Sequence, residues 1–187
     1  SDKKLPLNLA LVLDRSGSMQ GHPLEEAKKC AVMLVDRMSE DDMLSVTTYD
    51  NRVDVIIPTT KVVDKNLLKS TINQINPGGT TALYDGWSIG AEQVAEFADN
   101  NSLSRVLLLS DGQANSGLTD EETITSHCGT MAENGVTTST YGLGPRFNEN
   151  LMSAMATAGQ GQSHYGQTAD DLMDPFSEEF DLMEAII

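Results

Sequence analysis

Basic side chains are scarce in this chain of 187 residues. Lysine and arginine together number 12, against 28 aspartates and glutamates, so the formal net charge is −16 at pH 7. Proteins that bind nucleic acid need a basic surface to neutralise phosphates, and the sequence therefore argues against a nucleic-acid partner. Acidic runs such as Glu40-Asp41-Asp42 are interpreted as solvated ends or faces of helices.

Cysteines and long apolar stretches are also few. Cys30 and Cys128 form no Cys-x-x-Cys pair, and we interpret both as small packing residues of helices, while a single disulfide between them stays open. No apolar stretch approaches the roughly 20 residues that span a membrane, so no membrane contact is expected within this segment. Location is left open, with an extracellular or cell-surface setting slightly favoured over a cytoplasmic one.

The length and the hydrophobic content of 39% fit one globular domain with a proper core. We therefore expect residues 1–187 to form a single domain. The abrupt start at Ser1-Asp2-Lys3-Lys4 is consistent with a domain cut from a longer protein.

The most informative stretch is an apolar run that stops at an acid. Leu9 to Leu13 is typical of a strand buried on both faces of a parallel sheet. Asp14, Ser16 and Ser18 follow two residues apart and tend to project to one side, while Gly17 relaxes the turn between them. One carboxylate and two hydroxyls at the carboxyl end of a central strand form a site for a hard cation. The alternative is a polar loop in which Asp14 or a serine caps the next helix.

Two later stretches favour the cation site. Asn76 to Thr81 is a loop of turn-forming residues that ends in hydroxyls, and a second apolar run, Val106 to Leu109, ends at Ser110-Asp111-Gly112. All candidate ligands are oxygens, and no Cys or His stands at ligand spacing, so zinc is disfavoured. We expect Mg²⁺ or Mn²⁺, with Ca²⁺ also compatible.

Together these stretches resemble the von Willebrand factor A (VWA) family, in which such elements form a metal-ion-dependent adhesion site (MIDAS). The resemblance covers nearly the whole chain, and its style is nearer to prokaryotic or inter-alpha-inhibitor-like members than to integrin inserts. It implies that the metal ligands are Asp14, Ser16, Ser18, Thr80 and Asp111. Thr80 is preferred to Thr81 because the family's threonine follows the glycine pair, and Thr81 is then expected to cap the following helix.

The resemblance also implies a function, that of a protein-interaction module without catalysis. In the family, an open position on the metal binds an acidic side chain, Asp or Glu, of a protein partner. Several residues are expected near the rim of the site, where they could contact such a partner: Met19, Gln20, His22, Gln113, Asn115 and Arg146.

The alternative function is a Mg²⁺-dependent phosphoryl-transfer enzyme with Asp14 as its nucleophile. Such enzymes need a second aspartate two residues on as general acid, where this chain has Ser16, and no general base or positioned lysine is evident. A dinucleotide-binding enzyme is less favoured, because the first strand is not followed by Gly-x-Gly-x-x-Gly. A serine hydrolase is disfavoured, because neither Ser16 nor Ser18 lies in Gly-x-Ser-x-Gly.

The alternation of strand and helix patterns predicts an α/β fold. We expect a three-layer, doubly wound (Rossmann-like) and mainly parallel sheet of six strands in the order 3-2-1-4-5-6, as the family resemblance also implies. Met43 to Tyr49 is predicted to be a less completely buried strand, followed by a short antiparallel edge strand that ends at Pro58. Thr119 is expected to supply the hydroxyl cap of a helix whose first turn carries the acids Asp120, Glu121 and Glu122.

Overall fold

The fold is described here from a computed structural model, which covers residues 5–114, 117–144 and 148–185. The strands are β1 (Leu7–Asp14), β2 (Met43–Tyr49), β3 (Val53–Lys61), β4 (Leu103–Ser110), β5 (Val136–Leu143) and β6 (Gln160–Gly166). The helices are α1 (His22–Arg37), α2 (Lys65–Asn73), α3 (Leu83–Glu96), α4 (Glu121–Glu133), α5 (Glu149–Ala158) and α6 (Ala169–Ala185), and a 3₁₀ turn spans Gly17–Met19. These elements alternate as the sequence predicts.

The six strands form one sheet in the order β3-β2-β1-β4-β5-β6, which confirms the predicted order. Only the β2–β3 pair in this sheet is antiparallel, again as predicted. β3 continues beyond Pro58 to Lys61 and is longer than expected. An edge strand accepts a proline because one side of its backbone has no ladder to complete.

Helices cover both faces of the sheet. Along β1, Leu9, Leu11 and Leu13 belong to a core shared with α1, α2 and α6, whereas Ala10 and Val12 belong to a core shared with α3, α4 and α5. β2 is buried from Leu44 to Tyr49, so the expectation of less complete burial was wrong: as the neighbour of β1, this strand is also covered on both faces.

The two cysteines are buried in helices, as predicted, and both are free thiols. Cys30 lies in the core on the α1 side of the sheet and Cys128 in the core on the α3 side. The sheet therefore separates them, and a disulfide between them is not part of this fold.

Two glycines bring α3 close to the sheet. A Cβ atom on Gly86 would lie 2.3 Å from Cδ1 of Tyr49, and one on Gly90 would lie 2.3 Å from Cγ2 of Val12. Only glycine allows this approach, which fixes the start of α3 beside β1 and β2. The loop that precedes α3, residues 74–82, is thereby brought to the carboxyl end of these strands.

The helix caps differ from expectation in two places. Asp120 caps α4, since its Oδ2 accepts a 3.0 Å hydrogen bond from the amide of Thr123, so the prediction that Thr119 caps this helix was wrong. α3 follows Ala82 without a side-chain cap, so Thr81 does not cap it either. In the described part of the chain, no helix is both long and apolar enough to cross a membrane.

Candidate metal centre

Asp14 is the last residue of β1, and its side chain is fully buried. Its Oδ1 accepts hydrogen bonds from the amide and the hydroxyl of Ser16, at 2.8 and 2.5 Å. Its Oδ2 accepts a 2.8 Å hydrogen bond from the hydroxyl of Ser110, the last residue of β4. Both oxygens of the carboxylate are thus held in fixed directions by neighbouring strands and loops.

Ser16 and Ser18 are brought together by the 3₁₀ turn that follows β1. Ser16 precedes this turn, and its hydroxyl oxygen lies 3.2 Å from that of Ser18. Ser16 is buried beside Asp14, whereas Ser18 is exposed. The spacing of two residues therefore gathers one carboxylate and two hydroxyls, as the sequence predicts.

Asp111 follows β4 directly and is 3% exposed. Its Oδ1 accepts a 3.0 Å hydrogen bond from the amide of Gln113, and its carbonyl accepts one of 2.9 Å from the amide of Asn148 at the start of α5. Because β4 is the neighbour of β1, Asp111 and Asp14 emerge from adjacent strands at the same edge of the sheet.

The negative charge of Asp111 acts on the carboxyl group of Asp14. Burial and the negative charge of Asp111 raise the pKa of Asp14 to about 7, although the hydrogen bonds from Ser16 and Ser110 act to lower it. Within the described ranges, no basic side chain forms an ion pair with either acid. A cation placed here would supply the charge that this pair lacks.

The third part of the site is the loop before α3. The amide of Gly17 donates a 2.8 Å hydrogen bond to the carbonyl of Gly79, and the amide of Gly78 donates one of 2.6 Å to the carbonyl of Arg15. The residue that follows, Thr80, is exposed, whereas Thr81 is 1% exposed. Of the two threonines, Thr80 is therefore the one whose side chain is open to solvent beside the end of β1.

The chemistry of the donor set suits a hard cation. The five predicted ligands offer two carboxylates and three hydroxyls, all oxygen donors, which are the ligands that Mg²⁺ and Ca²⁺ take. No group of three or more His, Cys, Asp or Glu residues that could hold a metal occurs among residues 5–114, 117–144 and 148–185. The predicted site itself contains two acids, Asp14 and Asp111, and its other three donors are hydroxyls.

The residues expected at the rim have different positions. Met19 was predicted there wrongly, since its side chain is fully buried in the core on the α1 side, beneath the 3₁₀ turn. Gln20 and His22 are exposed, and Nδ1 of His22 lies 3.6 Å from Oε1 of Glu26. Gln113 is partly exposed beside Asp111. The predictions for Asn115 and Arg146 fall outside the described residues.

Sequence reasoning missed several residues that shape the site. The hydroxyl of Ser110 accepts hydrogen bonds from Tyr49 Oη at 3.1 Å and from the amide of Gly112 at 2.9 Å, in addition to donating to Asp14. Asp50 accepts hydrogen bonds from Nη2 of Arg15 and from the amide of Gly79. The position of Ser110 directly before Asp111 at a strand end was a signal for its role, whereas nothing local marked Asp50.

Comparison with known proteins agrees with this architecture. The family model described as the von Willebrand factor type A domain matches residues 8–178. Protein sll0103 of Synechocystis sp. is 34% identical over 186 residues, which cover 99% of this chain and 43% of that protein. The chain spans less than half the length of this and other curated relatives that it matches.

Solved structures share the fold. BatB of Bacteroides thetaiotaomicron superposes with a TM-score of 0.80 at 19% identity, over 95% of this chain and 98% of that one. Proximal thread matrix protein 1 from the mussel byssus, described as having a zinc-occupied MIDAS motif, superposes with a TM-score of 0.75 at 23% identity, over 96% and 46% of the two chains. This chain belongs to the von Willebrand factor type A domain family.

Proposed function

We propose that this chain binds a protein partner through a divalent metal ion held by Asp14, Ser16, Ser18, Thr80 and Asp111. VWA domains are typically protein-interaction modules, and the metal-dependent mode is the specific part of this proposal. The observation that carries it is the pair of buried acids, Asp14 and Asp111, at the ends of adjacent strands. A buried pair of like charges costs stability unless a cation or a proton compensates it.

The donor set also supports an ion with a position left for an outside ligand. Mg²⁺ takes six oxygens and usually keeps several waters, so five side chains, three of them neutral hydroxyls, leave room for exchange. The ion keeps most of its positive charge, because hydroxyls donate little. A carboxylate from the partner, Asp or Glu, is the group that this remaining charge attracts best.

The net charge of −16 does not prevent binding of an acidic group. Repulsion between the domain and an acidic partner acts over distance and is screened beyond about 8 Å at physiological salt. A bond between the metal and a carboxylate acts at about 2 Å and is screened very little. We therefore expect the local attraction to exceed the global repulsion.

Mg²⁺ or Mn²⁺ is the proposed ion, with Ca²⁺ as the larger alternative. The mussel byssus protein described with zinc in its MIDAS motif supports the idea that this fold can hold a divalent ion in such a motif. In the present chain the donors are oxygens, which favour harder ions than zinc.

Binding rather than phosphoryl transfer is the function that the geometry supports. A phosphatase of the type considered above needs a carboxylic acid at position 16, where Ser16 instead donates its hydroxyl to Asp14. We therefore propose that the domain is not an enzyme.

The open position can be tested with Mn²⁺ as the ion and acetate as a substitute for the partner's carboxylate. Water-proton relaxation reports the exchangeable waters on bound Mn²⁺. Acetate should lower the relaxivity of the Mn²⁺-loaded protein, whereas acetamide at the same concentration and ionic strength should not. The same titrations on Asp14→Ala correct for free Mn²⁺. Equal effects of acetate and acetamide would contradict a position that is selective for carboxylates.

A further inference from the structure

Asp50 is a buried acid at the end of β2, 5% exposed, next to the strand that carries Asp14. Its Oδ2 accepts hydrogen bonds from the amide of Gly79 at 3.1 Å and from Nη2 of Arg15 at 3.0 Å. Its Oδ1 accepts one of 2.8 Å from the amide of Arg52, and its own carbonyl accepts one of 2.7 Å from the amide of Ala82. One residue therefore binds the loop before α3 on both sides of Thr80.

Arg15 holds the same loop from the side of β1. Its Nη1 donates a 3.0 Å hydrogen bond to the carbonyl of Asn76, and its own carbonyl accepts one from the amide of Gly78 at 2.6 Å. Since Arg15 also pairs with Asp50, the two residues together connect β1, β2 and residues 76–79. We call this group the Asp50 clamp: Asp50, Arg15 and the backbone of residues 76–79.

The loop depends on these contacts because it has no regular secondary structure of its own. Glycine at position 78 is also required by the clamp. A Cβ atom there would lie 2.1 Å from Oδ2 of Asp50 and 2.9 Å from its Cγ, so any other residue would push the carboxylate away. The loop therefore lies directly on the Asp50 carboxylate.

The charge of Asp50 suits this role. Burial acts to raise the pKa of its carboxyl, but the hydrogen bonds from Arg52 and Gly79 and the charge of Arg15 outweigh that effect, and the pKa is lowered. The carboxylate is therefore ionised at neutral pH, and its bonds to the Gly79 amide and to Arg15 are charge-assisted.

We infer that Asp50 is a positioning residue of the proposed metal centre, which holds the Gly78-Gly79 turn so that the hydroxyl of Thr80 faces the end of β1. Asp50 does not act on the ion directly in this account. It acts through Thr80, and the inference rests on the proposed function because it takes Thr80 to be a metal ligand. Replacing a residue that orients a metal ligand without touching the ion commonly lowers the affinity for the metal by about 10–100-fold.

The test is a double-mutant cycle on Mg²⁺ affinity, measured by calorimetry on the whole chain. Asp50→Ala should weaken binding by about tenfold or more, because the Gly79 amide and Arg15 lose their acceptor. In a Thr80→Ala background, the same substitution should have little further effect, since the hydroxyl that Asp50 positions is already absent. A full additional loss in that background, or unchanged affinity of Asp50→Ala alone, would overturn the inference.

A conservative variant and a remote control separate positioning from general destabilisation. Asp50→Asn keeps an oxygen that can accept from Gly79, so it should retain affinity better than Asp50→Ala. Asp99→Ala removes a similar bond, of 2.8 Å to the amide of Asn101, from an exposed turn before β4. It should leave Mg²⁺ affinity unchanged. An equal loss in Asp50→Asn and Asp50→Ala, or a loss in Asp99→Ala, would contradict the role given to Asp50.

A measurement without metal makes failure of the inference distinguishable from failure of the proposed function. Amide hydrogen exchange of Gly79 should be at least tenfold faster in Asp50→Ala than in wild type, in the presence of chelator. Unchanged exchange would overturn the clamp even if the ion binds. If exchange accelerates but wild-type protein binds no Mg²⁺, the clamp exists and the metal-dependent function is the part that fails.

Discussion

Ser110 donates a 2.8 Å hydrogen bond to Oδ2 of Asp14 and so joins the ends of β4 and β1 inside the candidate metal centre. The same hydroxyl accepts from Tyr49 Oη, which reaches it from β2. Burial is the main reason that the pKa of Tyr49 lies well above its usual value, so this phenol remains a donor. Three strands are thus connected by one buried serine.

Replacing this serine should destabilise the protein. Ser110→Ala leaves the hydroxyl of Tyr49 and one oxygen of Asp14 without this partner, and we expect the free energy of unfolding to fall by about 1–3 kcal/mol. Urea denaturation in chelator measures the change. Adding Tyr49→Phe to Ser110→Ala should cost little more, because the donor that lost its acceptor is removed as well. If the losses of unfolding free energy in Ser110→Ala and Tyr49→Phe simply added in the double variant, the proposed coupling through the hydrogen bond between Tyr49 and Ser110 would be contradicted.

The raised pKa of Asp14 predicts a pH dependence of stability in chelator. The folded state raises this pKa from 3.8 to about 7, so the folded protein binds the proton more tightly than the unfolded chain does. The contribution of the Asp14 carboxyl to the free energy of unfolding should therefore be fully present below a pH of about 4, and it should be lost as the pH rises through about 7. Asp14→Asn, compared by urea denaturation at each pH, should lack this component. Identical pH profiles of the two proteins would contradict it.

The buried ion pair between α6 and the sheet should contribute far more to stability than the exposed ion pair between α6 and α1. Glu179, 2% exposed, accepts from Nη1 of Arg105 at 2.9 Å and from the hydroxyls of Ser139 and Tyr141. Glu179→Ala leaves the charge of Arg105 buried without this partner, and we expect a loss of about 3–5 kcal/mol.

The matched control for that variant is Asp181→Ala. Asp181 pairs with Arg37 at 2.7 Å but its side chain is 68% exposed, and we expect a loss below about 1 kcal/mol. Chemical denaturation of the two variants provides the comparison. Similar losses would show that α6 is not anchored through Glu179.

Phosphate-ester hydrolysis should be absent. Position 16 carries a hydroxyl that donates to Asp14, and no acid stands there to protonate a leaving group. With Mg²⁺ and p-nitrophenyl phosphate, release of p-nitrophenol should equal that of buffer alone. Turnover above this background that disappears in Asp14→Asn would support the phosphoryl-transfer alternative.

The strand order and the two acids could be predicted from the sequence because both depend on local patterns. Apolar runs that end at Asp14 and Asp111 identify central strands of a doubly wound sheet, and such strands meet at one edge. The burial of β2 was underestimated because its alternating pattern, with Ser45, Thr47 and Thr48, resembles a half-exposed strand. Its actual burial depends on helices that are distant in sequence.

Other details depend on contacts that no local pattern encodes. Met19 follows a polar turn and was expected at the rim, but the 3₁₀ turn directs it into the core. Asp50 was not identified from the sequence as a site residue, and the hydrogen bond that it accepts from the amide of Gly79 joins residues 29 positions apart. Such a tertiary contact becomes visible only when the loop before α3 is placed beside β1 and β2.

The metal-dependent account is tested most directly by calorimetric titration of Mg²⁺ into wild-type protein, Asp14→Ala and Asp41→Ala. Asp41 is an exposed acid at the amino end of β2, so its removal changes the net charge equally without touching the site. We expect one Mg²⁺ per chain for wild type and Asp41→Ala, and no binding for a folded Asp14→Ala. Equal Mg²⁺ affinity in Asp14→Ala and wild type would contradict the account.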